Sequence, residues 1–440
     1  MTIDIIITEN PHYNASMAFV ENITTKVDGV FSWTIEAFGG FATAHFEMMV
    51  SEADAWTMLQ RIGKRVAFLS PDAPDSSLLC WEGMISTVNI DDGGATISRS
   101  LENVYNHVRV NYTGVDDTVD PPQTAGYEGT DGADDLASQA LYGRRDLLYQ
   151  AGTVGGGATT ALRRIARGNR IRDLFLAQFA NPRAGTTTLR RGGGSSVSSM
   201  RVSVDCVGFA QELAVKFHGE TDITVVTVDT IIKSILANTN YGTYLGYPIA
   251  PAYTLGWKLD FISTDTSGVT ANTITTSRYN FTDKTTRTYL DELMRLGDGA
   301  TGRRTFWGVY ENRKFFTTVE PSSYDYITRR SDSSEAIYDR RTGAIVPPWL
   351  VRPAKVIGVP DLLPDETVVT DVLNTAKAFL IGTVEFTAPA TVVLTPVAPD
   401  PSGMWGTAQL MQDGYAPTWT QVPGGGFVGG LPPIPGLGGG

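Results

Sequence analysis

Phe31-Ser32-Trp33-Thr34-Ile35-Glu36, followed by Thr43-Ala44-His45-Phe46-Glu47-Met48-Met49-Val50, decides the fold class. In the first run Phe31, Trp33 and Ile35 alternate with Ser32, Thr34 and Glu36. In the second, Ala44, Phe46, Met48 and Val50 alternate with Thr43, His45, Glu47 and Met49. A period of two sends apolar side chains to one face of an extended chain, so both runs read as half-buried strands. Ser51 then stands three residues before Asp54, a capping-box spacing, and Ala55, Trp56, Leu59 and Ile62 make one helical face closed by Gly63. Further strands are predicted at Arg65–Leu69, Cys80–Ile90 and Ala95–Leu101, the last two joined by Asp91-Asp92-Gly93-Gly94. Val108, Val110 and Tyr112 mark one more. Five or six short strands around one short helix read as a small barrel, with Trp33, Phe46, Trp56 and Trp81 expected in one core.

Beyond this unit the composition shifts. Asp116, Asp117, Asp120, Glu128, Asp131, Asp134 and Asp135 form an acidic run with no Lys or Arg between Val110 and Gly143. From Ala140 to Arg191 the sign reverses: ten arginines face only Asp146 and Asp173, a local balance of +8. Ala158, Ala161, Leu162 and Ile165, then Leu174, Phe175 and Phe179, read as helix faces broken by Gly168 and Asn169. Val202, Val204 and Cys206 alternate as a strand. Val228, Ile231, Ile232, Ile235 and Leu236 follow helical spacing, and a second helix after Thr282-Asp283 turns Tyr289, Leu290, Leu293 and Leu296 inward before Gly297. Phe306–Tyr310 and Phe315–Val319 read as a hairpin, and strands are expected at Ala354–Val359 and Thr383–Thr387.

The 440 residues carry 35 Lys and Arg against 47 Asp and Glu, a net charge of −12, the reverse of what a sequence-independent nucleic-acid binder needs. Two distant cysteines, Cys80 and Cys206, give neither a disulfide framework nor a metal cluster. The four histidines show no zinc spacing. The N-terminal run lacks a basic n-region, and no apolar window is long enough to span a membrane. Gly297-Asp298-Gly299-Ala300-Thr301-Gly302 matches G-x-G-x-x-G, but a helix precedes it and a strand follows. Phosphate would meet the carbonyl end of a helix, so the motif reads as a helix C-cap and turn. Phe306, Trp307, Tyr310, Phe315 and Phe316 fit a carbohydrate platform or, more simply, the packed side of a hairpin. No nucleophile–base constellation emerges, and neither enzymatic activity nor a cofactor or metal is expected.

Several stretches resemble the tail hub proteins of long-tailed bacteriophages. They are Trp81-Glu82-Gly83-Met84-Ile85, Asn106-His107-Val108-Arg109-Val110-Asn111-Tyr112 as an N-x-V-x-V-x-Y strand, and Ser138-Gln139-Ala140-Leu141-Tyr142-Gly143-Arg144-Arg145. To these are added the Leu290–Leu296 helix running into Arg303-Arg304-Thr305-Phe306-Trp307-Gly308-Val309-Tyr310, and Val346-Pro347-Pro348-Trp349-Leu350-Val351-Arg352-Pro353. The resemblance implies an α+β, β-rich chain with two small tail-hub-type β-barrel domains and inserted helical and α/β segments. Its divisions are an N-terminal arm (1–30), a first barrel-type domain (31–113) and an acidic then Arg-rich helical connection (114–199). An α+β domain (200–320), second-barrel strands (321–395) and a Gly/Pro-rich tail (396–440) follow. It implies a homotrimer capping the tail tube and meeting the tail tube protein, distal tail protein, tape measure protein and tail fibre or receptor-binding components, with genome DNA only in passage. The place of action would be the virion tail, after synthesis in the host cytoplasm. A distal-tail or baseplate adaptor, and a glycan-binding or cell-wall-active surface protein, are the alternatives.

Two sets of interface residues are expected. Arg163, Arg164, Arg167, Arg170 and Arg172 would meet acidic surface on a neighbouring protein. Pro423–Gly440 has too few side chains to fold on itself, and Phe427, Leu431 and Ile434 would anchor it in a groove of a neighbour.

Overall fold

The computed structural model describes residues 3–9, 19–70, 79–91, 93, 95–116, 119–155, 160–189, 199–220, 225–236, 243–244, 247–248, 259–277, 280–331, 334–358, 378–397, 418–422 and 426–430.

The two alternating runs become β3 (Val27–Glu36) and β4 (Phe38–Val50), paired antiparallel with Trp33 opposite Ala44 and Phe31 opposite Phe46. The expected phase holds: Trp33, Ile35, Phe46, Met48 and Val50 are buried. The neighbours of β4 come from far along the chain. β13 (Met200–Gly208) lies between β4 and β6 (Leu79–Asp91), with Val204 opposite both Phe46 and Val88. The other edge of β6 pairs β5 (Arg65–Leu69) through Leu79–Met84 and β7 (Ala95–Ser100) through Thr87–Asp91. β1 (Asp4–Thr8) extends β5, and β2 (Phe19–Asn22) extends β1. On the far side, β3 takes β26 (Ala378–Thr387), which pairs β27 (Thr391–Pro396).

This arrangement corrects the expected barrel: among the described residues no closed barrel is found. Closure within 31–113 would require β3 to pair back onto a strand of the same segment, but its second edge is occupied by β26. The sheet also crosses the expected divisions. β1 belongs to the arm, β13 to the α+β domain and β26 to the second-barrel strands, yet all three join one sheet and one core.

The core is aromatic at its centre. Phe68 lies 5.4 Å from Trp33, 5.9 Å from Phe31 and 5.7 Å from Trp81, edge-on to the last. Helix α1 (Glu52–Leu59) is capped by Ser51, whose Oγ accepts from the Asp54 N–H. It buries Ala55, Met58 and Leu59, while Trp56 is 40% exposed and its indole N–H donates to Glu52. The expectation that Trp56 joins the core is therefore wrong. It sits one residue, about 100° of helix, away from Ala55.

The acidic-to-basic connection is a unit of its own. β8 (His107–Asp116) pairs antiparallel with β9 (Gln123–Gly129) and β10 (Ala133–Asp134). It pairs in parallel with β11 (Asp146–Gly155), while α2 (Leu136–Tyr142) lies in the connection. Thus β8, assigned by sequence to the first barrel, belongs to a second sheet. Helix α3 (Thr160–Phe179) packs on that sheet through Ile171, Phe175 and Leu176 over Val108, Val110, Tyr112 and Val154. Gly168 does not break α3. Its missing Cβ lets the helix lie against Tyr112 and Thr130. β12 (Ala184–Leu189) returns the chain to β7.

After β13, α4 (Gln211–Ala214) leads to two-stranded ladders: β14 (Phe217–Glu220) with β19 (Asn280–Thr285), β15 (Val225–Thr227) with β18 (Thr275–Ser277), and β16 (Thr243–Tyr244) with β17 (Tyr247–Pro248). α5 (Val228–Leu236) buries the five residues its spacing predicts. α6 (Thr286–Arg295) starts two residues later than expected, with Thr285 as its cap, because the chain before it is strand. The hairpin forms as β20 (Thr305–Val309) and β21 (Phe315–Val319), and β20 runs parallel to the start of β4. Gly40 makes that contact feasible: at φ +80°, a Cβ there would run into the Val309 backbone. β22 (Tyr326–Ser331), β23 (Ser334–Asp339), β24 (Ile345–Val346) and β25 (Val356–Gly358) lead through β25 into β26. β28 (Thr418–Val422) pairs β29 (Gly426–Gly430), so part of the Gly/Pro-rich segment pairs with the strand just before Pro423. Ladder hydrogen bonds need only backbone, and the β-branched run before Pro423 supplies the partner strand. No described helix is long and apolar enough to cross a membrane.

Candidate interaction surfaces

The arginine block splits into two groups on α3. Arg164 is buried. Its Nε lies 3.0 Å and its Nη2 2.7 Å from Glu128 Oε1 on β9, and the hydrogen bond holds the Glu128 carboxyl below the usual range. Burial, followed by the Glu128 charge, pushes the nearby Tyr112 hydroxyl up to about 12. Arg172 donates to the Asp131 carbonyl at 3.0 Å and pairs with Asp173. These two arginines hold the acidic loops of their own chain, which corrects their expected availability to a neighbour. Arg163, Arg167 and Arg170 are exposed. Arg167 donates to the Gly155 carbonyl, whereas Arg163 and Arg170 make no ion pair with the described residues.

The second surface is the outer face of the main sheet, which sequence alternation predicts only as polar. Cross-strand registers assemble it into rows. Thr387, Ser32, His45, Asp205 and Thr87 lie side by side across five strands. Glu385, Thr34 and Thr43 form the next row, and Glu47, Ser203 and Asn89 another. Asp28, Glu36, Asp91 and Met49 extend the face, and Arg201 pairs with Glu47. The face is rich in hydroxyls and carboxylates and poor in cations. Within it His45 Nδ1 lies 2.8 Å from Asp205, and that hydrogen bond raises the His45 pKa above 6.5, with Glu47 3.7 Å from the other ring nitrogen.

Two of the stretches that carry the resemblance, Asn106–Tyr112 and Ser138–Arg145, meet in space. The Asn106 amide donates to Ser138 Oγ at 3.1 Å and to the Gly143 carbonyl at 2.8 Å, and the Arg145 N–H donates to Asn106 Oδ1 at 2.7 Å. Ser138 Oγ in turn donates to the Ala180 carbonyl after α3. A buried charge chain ties this knot to the main body. The Arg144 N–H donates to Asp260 at 3.0 Å, Asp260 accepts from Lys216 at 3.1 Å, and Lys216 pairs with Glu212. Glu212 also accepts the backbone N–H groups of Asp260, Phe261 and Ile262.

The aromatic hairpin is not an open platform: Phe306, Trp307 and Phe315 are buried. A cleft of about 250 Å³ opens beside Tyr310, Phe316 and Arg352, but Arg352 is committed to Glu311 at 2.8 Å and to the Leu79 carbonyl at 3.2 Å. At the glycine motif, Gly297 takes φ +77° and Asp298 accepts from the Thr301 N–H at 2.8 Å, a closed turn after α6. Among the described residues no cluster of His, Cys, Asp and Glu has the make-up of a metal site. Phe427 lies on β29, opposite Gln421, while Leu431 and Ile434 lie outside the described residues.

No family model matches the chain, and no curated protein matches it. Among solved structures, the 43 kDa tail protein of prophage MuSo2 from Shewanella oneidensis is similar over 90% of this chain and 99% of that chain, at 9% sequence identity and a TM-score of 0.35.

Proposed function

We propose that this chain is a structural virion protein: a phage tail hub that caps the distal end of the tail tube and forms part of the DNA exit channel. The observation that carries the proposal is the outer face of the main sheet. A wall that passes DNA must not grip it. Carboxylates such as Asp28, Asp91 and Glu385 repel phosphate, rows of threonine and serine keep the wall wetted, and the Arg201 charge is offset by its pair with Glu47. The resemblance of the Asn106–Tyr112 and Ser138–Arg145 stretches to tail hubs supports the same reading. In it the chain is a homotrimer, meets the tube, distal tail, tape measure and fibre components, and resides in the virion tail as a non-enzymatic part.

The test is gold-labelled antibody on intact particles, followed by reconstruction of the labelled region. Label at the distal tip, on a three-fold ring with the sheet face turned to the bore, is the expected result. Label on the capsid or along the tube, or a ring whose bore is lined by another surface, overturns it.

A further inference from the structure

The solvent face of α3 carries charge and apolar surface in one line. Arg163, Arg167, Arg170 and Leu174 recur at i, i+4, i+7 and i+11, a ridge roughly 16 Å long. Leu174 is 61% exposed near the end of this ridge. The opposite face of α3 is spent on its own sheet, so this ridge is not needed for packing.

We propose that the ridge docks an acidic amphipathic helix of a neighbouring protein, carrying carboxylates at matching three- and four-residue spacing with an apolar side chain at the end that meets Leu174. Two observations favour that partner over nucleic acid. A phosphate backbone leaves Leu174 in water, whereas a helix seated along the ridge covers it. The rest of the chain, at −12 overall, also repels the flanks of a duplex. The contact deepens the tail reading by naming a surface and a partner chemistry, yet it is defined by α3 alone.

The experiment uses the full chain and two labelled probes in fluorescence anisotropy. One is a helical peptide with Glu at i, i+4 and i+7 and Leu at one end, and the other a DNA duplex of similar length. The peptide is expected to bind with an affinity that falls as salt rises, and the duplex is expected not to bind. Arg163→Glu/Arg167→Glu/Arg170→Glu should weaken peptide binding by at least about tenfold. The milder Arg163→Gln/Arg167→Gln/Arg170→Gln should also weaken it, which guards against loss through misfolding. Leu174→Ser should weaken it several-fold. Duplex binding tighter than peptide binding, or unchanged peptide binding in the charge variants, overturns the proposal. Tip labelling of particles without peptide binding removes this contact and leaves the hub reading standing; peptide binding with label elsewhere does the reverse.

Discussion

Trp33 and Phe386 stack with ring centroids 4.3 Å apart and planes 27° from parallel. One lies near the start of the chain and the other near its end, so this pair fastens β26 onto the edge of β3 and makes the late strand part of the early core. Phe386→Ala should cost about 3–5 kcal/mol in urea unfolding, as should Trp33→Ala. Because the two rings share a contact, the double variant should lose less than the sum. Strict additivity would show that the rings stabilise independently and that β26 is not held by this pair.

Glu212 should be as important as any aromatic. Its carboxylate accepts three consecutive backbone N–H groups at 260–262 and pairs with Lys216. Glu212→Ala leaves three buried donors without their acceptor and takes one of two carboxylates from the buried Lys216 ammonium, which keeps Asp260. The expected loss is about 3–5 kcal/mol, with faster amide exchange first at Phe261 and Ile262. Exchange that rises uniformly across the chain would show that this carboxylate is not a local clamp.

His45 predicts a pH dependence of defined sign. Asp205 raises its pKa above the unfolded 6.5, with Glu47 and Arg201 completing the surroundings. A raised folded pKa contributes stability that is fully present below pH 6.5 and is lost as pH rises through the folded value. The melting-temperature gap between parent and His45→Gln should therefore be widest in mild acid and close on the alkaline side. A gap that widens with rising pH contradicts the pairing.

Local elements were legible in the sequence because their signals are local. Alternation at Phe31–Glu36 and Thr43–Val50, and the spacing of Val228–Leu236, report which face is buried whatever the partner is. Sheet order was not legible, since nothing in Val202–Cys206 says that its neighbours are β4 and β6. β8 misled for a physical reason: Arg109 and Asn111 are buried along with Val108 and Val110, so its period of two does not mark a solvent side. The arginines of α3 were legible only as a composition. Arg163 and Arg164 are the same residue type one position apart, and only the placement of Glu128 on β9 separates them.

That separation gives the last prediction. Arg164→Ala removes the cation that both Glu128 oxygens accept from and uncovers the contact beside Gly114 and Tyr112. A loss of about 1–3 kcal/mol is expected from the orphaned groups. Arg163→Ala, on the exposed ridge, should stay within about 0.5 kcal/mol of the parent. Acid should erase the difference. The folded Glu128 pKa lies below its unfolded 4.5, so the Arg164 contribution is present above that pH and is lost as pH falls through the folded value. Paired urea titrations of the two variants at neutral and acid pH decide the matter. If both variants unfold alike at neutral pH, then Arg164 does not fasten α3 to β9, and the helix is held by Ile171, Phe175 and Leu176 alone.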